Sequence, residues 1–195
     1  RQTGRHQRQP EHVKAGARAL GVAESYRAET SRFAGAVVRA SRVADGFVFS
    51  TATVGGSDAT ETVCEMVDRL DREDVRYLLV AGIAPAWFNI LDLQQIHDHA
   101  DLPVISVTFE SSPGLEGAIR EAFDDPDAVQ DRLATYRAQP ERRPVSVNDE
   151  TVYVRSVGLD DSTAADVVRA FTPEGGRPEP LRVARLAARG LVEME

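Results

Sequence analysis

The sequence predicts an α/β fold with a mixed sheet flanked by helices, and three observations predict it. Residues 17–54 carry three successive valine-rich or alternating runs without helical period. Helical patterns then alternate with near-continuous apolar stretches up to Phe109. Finally, 195 residues at 42% hydrophobic content suffice for one domain with a sizeable core.

The elements follow in order. ARALGVAES (Ala17 to Ser25) and FAGAVVRA (Phe33 to Ala40) read as strands, and GFVFSTATV (Gly46 to Val54) alternates aromatic and β-branched residues with small polar ones. Asp45-Gly46 is a hairpin-turn signal, so the three strands are expected to form an antiparallel meander. A helix follows in GSDATETVCEMVDRL, where Asp58 and Glu61 have capping-box spacing and Ala59, Val63, Met66, Val67 and Leu70 share a face. Cys64 lies on this helix as a small core residue. Arg76 to Ile83 reads as a central strand, Asp92 to Ala100 as a helix capped by Asp92, and Pro103 to Phe109 as another central strand. Two helices are expected at Gly114 to Phe123 and Pro126 to Ala138. A proline-containing link, a strand at Thr151 to Gly158, a helix from Asp161 to Phe171 and a final helix from Pro180 complete the chain.

Residues 1–14, polar and basic, read as a flexible N-terminal segment, and residues 15–195 as a single domain. No run approaches the roughly 18 apolar residues of a membrane span, so a soluble, cytoplasmic protein with no membrane partner is expected. Asp and Glu total 31 against 23 basic residues, and only Lys14 is a lysine. That balance suits a salt-loving host. A net charge of -8 works against nucleic-acid binding at low salt, although at molar salt the counterion-release advantage of basic proteins is largely lost anyway.

Few residue groups point to chemistry. His97 and His99, two apart on a helix, turn to opposite sides and do not make a zinc site. Gly55-Gly56-Ser57 lacks the lysine of a phosphate-binding loop and reads as a tight strand-to-helix turn. Trp87, Phe88 and Asn89, just past Gly82 at a strand end, are candidates for gripping a base that has left its stack. Arg182, Arg185 and Arg189 form a stripe on the last helix that could meet phosphates.

A three-strand meander followed by alternating helices and strands is the ribonuclease-H-like order, whose chemistry depends on carboxylates gathered at strand ends to hold divalent metal. The segments LGVAES, DGFVFSTATV, VGGSDAT, AGIAPAWFNILD, LPVISV with its following Pro113, and PEPLRVARLAARG occur in order at family-like distances. From about Ala15 to Leu191 the chain thus resembles the endonuclease dU family, mostly archaeal and similar in fold to endonuclease V. The resemblance implies a Mg²⁺-dependent endonuclease acting on deaminated bases in DNA, notably deoxyuridine, and hence a role in DNA repair.

The chain departs from that family at polar positions. Gly-Ile-Asp-Asp is here Gly21, Val22, Ala23 and Glu24. Val-Asp-Gly is Val54, Gly55 and Gly56; Asp-Gly-Ile is Ala81, Gly82 and Ile83. Arg-Val-Ala-His becomes Arg182, Val183, Ala184 and Arg185. Alanine and glycine offer no side-chain oxygen to a metal, so a cation site is expected to be weak or missing. The remaining acids, Glu24, Asp58 and Asp92, are the retained catalytic candidates, with Glu24 and Asp92 the candidate metal ligands; Glu110 is a new acid past a strand end. The favoured expectation is a divergent member with lost or strongly reduced nuclease activity that keeps a role in binding nucleic acid or a protein partner. The alternative is an active Mg²⁺-dependent endonuclease on deoxyuridine- or deoxyinosine-containing DNA that uses relocated acids.

Overall fold

A computed structural model describes residues 13–195, so most of the N-terminal segment read at 1–14 lies outside the described residues. Its strands are β1 (Arg18–Tyr26), β2 (Thr30–Arg39), β3 (Ala44–Thr53), β4 (Val75–Ala81), β5 (Val104–Thr108), β6 (Arg143–Val147) and β7 (Glu150–Val157). All join one sheet in the order β3-β2-β1-β4-β5-β7-β6. The first three are antiparallel, as the meander predicts, whereas β4 and β5 run parallel to β1. The carboxyl ends of β1, β4 and β5 therefore open on one edge.

Strand alternation sends residues to two layers. Leu20, Val22, Leu78 and Val80 point to one face with Val63 and Met66 of α1 (Ala59–Leu70) and Ile96 of α3 (Leu93–Ala100). Leu79, Ile105 and Val107 point to the other, against α6 (Asp161–Ala170) and Leu181 of α7 (Glu179–Glu193). Ala184 of α7 packs on Ala23, Ala36 and Val38. Helix α5 (Pro126–Ala138), with α4 (Glu116–Ala122), makes a smaller cluster around Ile90, Ile119 and Leu133.

Three local expectations are corrected. Asp45-Gly46 is not the hairpin turn: Arg39 N–H donates to Val43 O, Arg42 takes φ 77°, and Asp45 is skipped where the register shifts between Val37 and Val38. This bulge turns the Asp45 carboxylate toward Arg18, Arg39 and Arg72. The link after α5 contains a strand, β6, which pairs with β7 across the two-residue turn Asn148-Asp149, both at positive φ. Pro144 is tolerated there because β6 is an edge strand. Lastly, the Asp58 side chain does not cap α1.

Asn89 does that work from 30 residues away. Its Oδ1 accepts from Ala59 N–H at 2.9 Å, and its Nδ2 donates to Thr53 O at 2.9 Å and to Asp58 Oδ1 at 2.7 Å. Asp58 in turn accepts from Thr53 N–H and Thr53 Oγ1–H. Burial would raise the Asp58 carboxyl, but these hydrogen bonds outweigh it and hold it below its usual range. Asn89 ends α2 (Pro85–Phe88), a single turn in which Ala86, Trp87 and Phe88 have φ of 50°, 57° and 56°. A left-handed turn of L-residues costs about 1–2 kcal/mol per residue. Offsetting it, Asn89 N–H closes on Pro85 O, Gly55 N–H donates to Ala86 O, and Arg132 Nε–H donates to Phe88 O. Arg132 also reaches Gly55 O and Gly56 O and lies 3.9 Å over the Phe123 ring.

Two outcomes are expected. Asn89→Ala leaves the Ala59 amide without an acceptor and Thr53 O and Asp58 Oδ1 without the donor they share, around a side chain that is fully buried, so urea unfolding should show a loss of about 2 kcal/mol or more, with a shift in the emission of Trp87, the sole tryptophan. Burial pushes the Asp45 carboxyl up, but its arginine hydrogen bonds win and take it from 3.8 to about 2. A lowered folded-state value stabilises above the unfolded value and is lost as pH falls through the folded one. The melting-temperature gap between wild type and Asp45→Asn should therefore be full above about pH 4 and close toward pH 2; a gap that widens on acidification would contradict this.

Candidate functional site

Ala23 and Ala81 stand side by side. Gly21 pairs with Leu79 and Val22 with Val80, so the next residue on each strand falls at the carboxyl edge of the sheet, on the face covered by α7. These are two of the positions where the sequence lacks acids, and the sheet brings them together. A cavity of about 360 Å³ opens over them; Val22, Val80 and Leu91 line it, with Arg177, Arg185 and Arg189 among its charged groups. A second cavity of about 950 Å³ adjoins it, sharing Glu24, Ala81, Pro85, Arg177 and Arg185, and runs past Gly82 to Phe109, Arg142, Tyr153 and Arg155.

Arginine dominates this cleft. Arg177 lies 4.2 Å over the Phe109 ring, Arg142 4.4 Å over Tyr153, and Arg155 5.6 Å from Tyr136. Arg142 donates to Thr108 Oγ1, Glu110 O and Ser112 O, and Arg155 to Pro140 O. These neutral acceptors hold the guanidiniums without cancelling their charge. Burial, and then the charge of Arg185, hold Arg177 below the usual arginine range. Among the described residues, no carboxylate lies within ion-pair distance of Arg177, Arg185 or Arg189. Arg182, on the same helix, behaves differently: it pairs with Glu179 at 2.6 Å and lines neither cavity.

The acids do not gather. Glu24, turned to the face opposite Ala23, accepts from the buried Ser31 hydroxyl at 2.5 Å and reaches the rim of both cavities. Asp58 is engaged with Thr53 and Asn89, and Asp92 caps α3 by accepting from Gln95 N–H. Glu110 and Glu141 line only the larger cavity. A hard divalent ion needs several oxygens at once. Among the described residues no three His, Cys, Asp or Glu side chains are grouped to hold one, so the residues present do not fit the implied Mg²⁺.

The other sequence candidates are distributed as follows. Gly82, at φ 78°, lines the larger cavity and ties β4 to β5 by donating to Val107 O. Trp87 is 49% exposed beside Phe88 but lines neither cavity, and Asn89 is buried structure rather than a contact surface. Gly55 lies under Trp87 with its amide already bonded, away from Ala23 and Ala81. His97 Nδ1–H donates to Leu102 O, and His99 faces Asp68. Cys64 is buried. No helix among the described residues is long and apolar enough to cross a membrane. Sequence reasoning missed Arg142, Arg155 and Arg177, which come from separate parts of the chain; the Arg185 and Arg189 stripe, with Glu24 and Gly82, signalled the cleft.

Known proteins share this architecture. The family description Endonuclease dU matches residues 15–192. A UPF0215 protein of Thermococcus kodakarensis is 33% identical over 163 residues, covering 83% of this chain and 81% of its own. Among solved structures, a protein of unknown function from Archaeoglobus fulgidus superposes with a TM-score of 0.80 at 25% identity, covering 90% of this chain and 98% of that one. The endonuclease V of Ciona intestinalis, in complex with a 24mer DNA containing an inosine followed by a ribo-adenosine, superposes at 0.61 with 13% identity, over 92% and 87%. The fold is accordingly the ribonuclease-H-like one of endonuclease V. With the family match spanning nearly the whole described chain, the protein belongs to the endonuclease dU family.

Proposed function

We propose that this chain binds nucleic acid in the arginine-lined cleft and does not cleave it through a bound metal. One observation carries the reading: at the adjacent strand ends of Ala23 and Ala81 the guanidiniums of Arg177, Arg185 and Arg189, which have no carboxylate partner among the described residues, outnumber the single acid Glu24, on a chain whose net charge is -8. Such a concentration of positive charge against an acidic background attracts phosphates. Phe109, Tyr136 and Tyr153 add ring faces for bases or sugars, as single strands require. The inosine-containing DNA held by the Ciona endonuclease V supports DNA as the ligand class. We take residues 15–195 as the acting unit, since one sheet includes every strand among the described residues.

The competing reading, a Mg²⁺-dependent endonuclease with relocated acids, requires Glu24 to leave Ser31 and recruit Glu110 or Asp92. The test is fluorescence anisotropy and strand-nicking on deoxyuridine- and deoxyinosine-bearing oligonucleotides across a KCl series, with Mg²⁺, Mn²⁺ or chelator. Binding is expected to fall with salt, ignore chelation and weaken by roughly three- to tenfold in Arg185→Gln, with no nicking. Metal-dependent nicking abolished by Glu24→Ala would sink the reading; no affinity for any DNA at any salt would turn it toward a protein partner.

A further inference from the structure

The small cavity over Ala23 and Ala81 has a charge and a shape that narrow its ligand. Its charged groups are Arg177, Arg185, Arg189 and Glu24, which leave two positive charges in excess. Glu24 is partly spent on Ser31. The buried side chains of Val22, Val80 and Leu91 line the cavity, displacing water and strengthening any charge interaction inside it. A diester carries one charge and continues in two directions. A phosphomonoester carries close to two at neutral pH, presents three acceptor oxygens and is attached on one side only. The neighbouring cavity, continuous through Arg177 and Arg185, is large enough for the attached sugar and base, and Phe109 and Tyr153 line it.

We infer that Arg177, Arg185 and Arg189 form a metal-independent site for a phosphomonoester, the terminal phosphate of a nucleotide or nucleic-acid strand. The guanidiniums bind the dianion directly, where acids at Ala23 and Ala81 would have gathered a cation. This deepens the nucleic-acid reading of the same cleft and rests on it for the body of the ligand. Arg185 and Arg189, four residues apart on α7, reach the cavity from one side. Arg177, before Pro178, enters from the chain leading into that helix. Forked guanidiniums match phosphate oxygens with paired hydrogen bonds, so the phosphate should contribute affinity well beyond its screened charge.

The experiment compares the full-length protein's affinity for one oligonucleotide carrying a 5′-phosphate, a 3′-phosphate or hydroxyls at both ends, in chelator. It is paired with calorimetric titration of a nucleoside monophosphate, its nucleoside and inorganic phosphate. One phosphorylated end is expected to bind at least about tenfold tighter than the hydroxyl form, and Arg185→Gln with Arg189→Gln should erase the difference while Arg182→Gln leaves it. Unchanged melting temperature in Arg185→Gln guards against misfolding; both side chains are exposed, so it should hold. Equal affinity for all three oligonucleotides overturns the phosphomonoester site while leaving nucleic-acid binding standing. If no strand binds but the nucleoside monophosphate does, in an Arg185-dependent way, the site stands and the strand-binding reading falls. If neither binds, or if the double variant keeps the preference, the site is overturned.

Discussion

Gly21 lies on β1 directly beneath Pro180, where a side-chain carbon would come within 2.4 Å of the Pro180 carbonyl group. Backbone cannot yield there as a flexible side chain would, so only glycine lets the first turn of α7 rest on the sheet. Leu181, Ala184 and Ala188 then bury against β1 and β2, and the small side chains of Ala23 and Ala36 keep the helix close. This contact decides the chemistry of the cleft. It sets the rotation of α7 so that Arg185 and Arg189 stand over the strand ends, and it leaves Arg182 outside, beside Glu179.

The left-handed turn at Ala86–Phe88 is a second constraint, held for a different purpose. Three positive-φ residues in succession are costly, and Asn89, Gly55 and Arg132 all contribute bonds that fix them. The result is a rigid connection between β4 and the capped start of α1, with Trp87 displayed half-exposed at its tip. Gly55, one of the positions where the family resemblance implies an acid, stands at φ 70° with Trp87 packed over it. The glycine there serves the turn, and its place is separate from the adjacent Ala23 and Ala81.

Much of the framework was legible because it rests on local periodicity. The meander, the parallel strands β4 and β5, and the faces of α1 and α7 follow from alternation and helical spacing over a few residues. What was hidden depends on distant partners. Asp58 has the spacing of a helix cap, yet Asn89 caps α1, a substitution visible only once the strand after α1 has folded back. Asp45-Gly46 has hairpin chemistry, but three arginines from β1, β2 and the segment after α1 draw Asp45 into a bulge instead. β6 was masked by Pro144, acceptable because among the described residues no strand pairs on its far side. At the site, the missing acids could be read residue by residue, whereas the convergence of Arg142, Arg155 and Arg177 with the α7 stripe depends on tertiary packing.

We propose that the strand ends at Ala23 and Ala81, where the family resemblance implies acids around a cation, here gather anions. This is tested most directly by anomalous diffraction from crystals of the protein grown with MnCl₂, at a wavelength where manganese scatters anomalously. The expected map has no manganese peak at the Ala23–Ala81 edge within bonding reach of Glu24, even at millimolar metal. A well-occupied peak there, coordinated by Glu24 and a second carboxylate, would contradict the account.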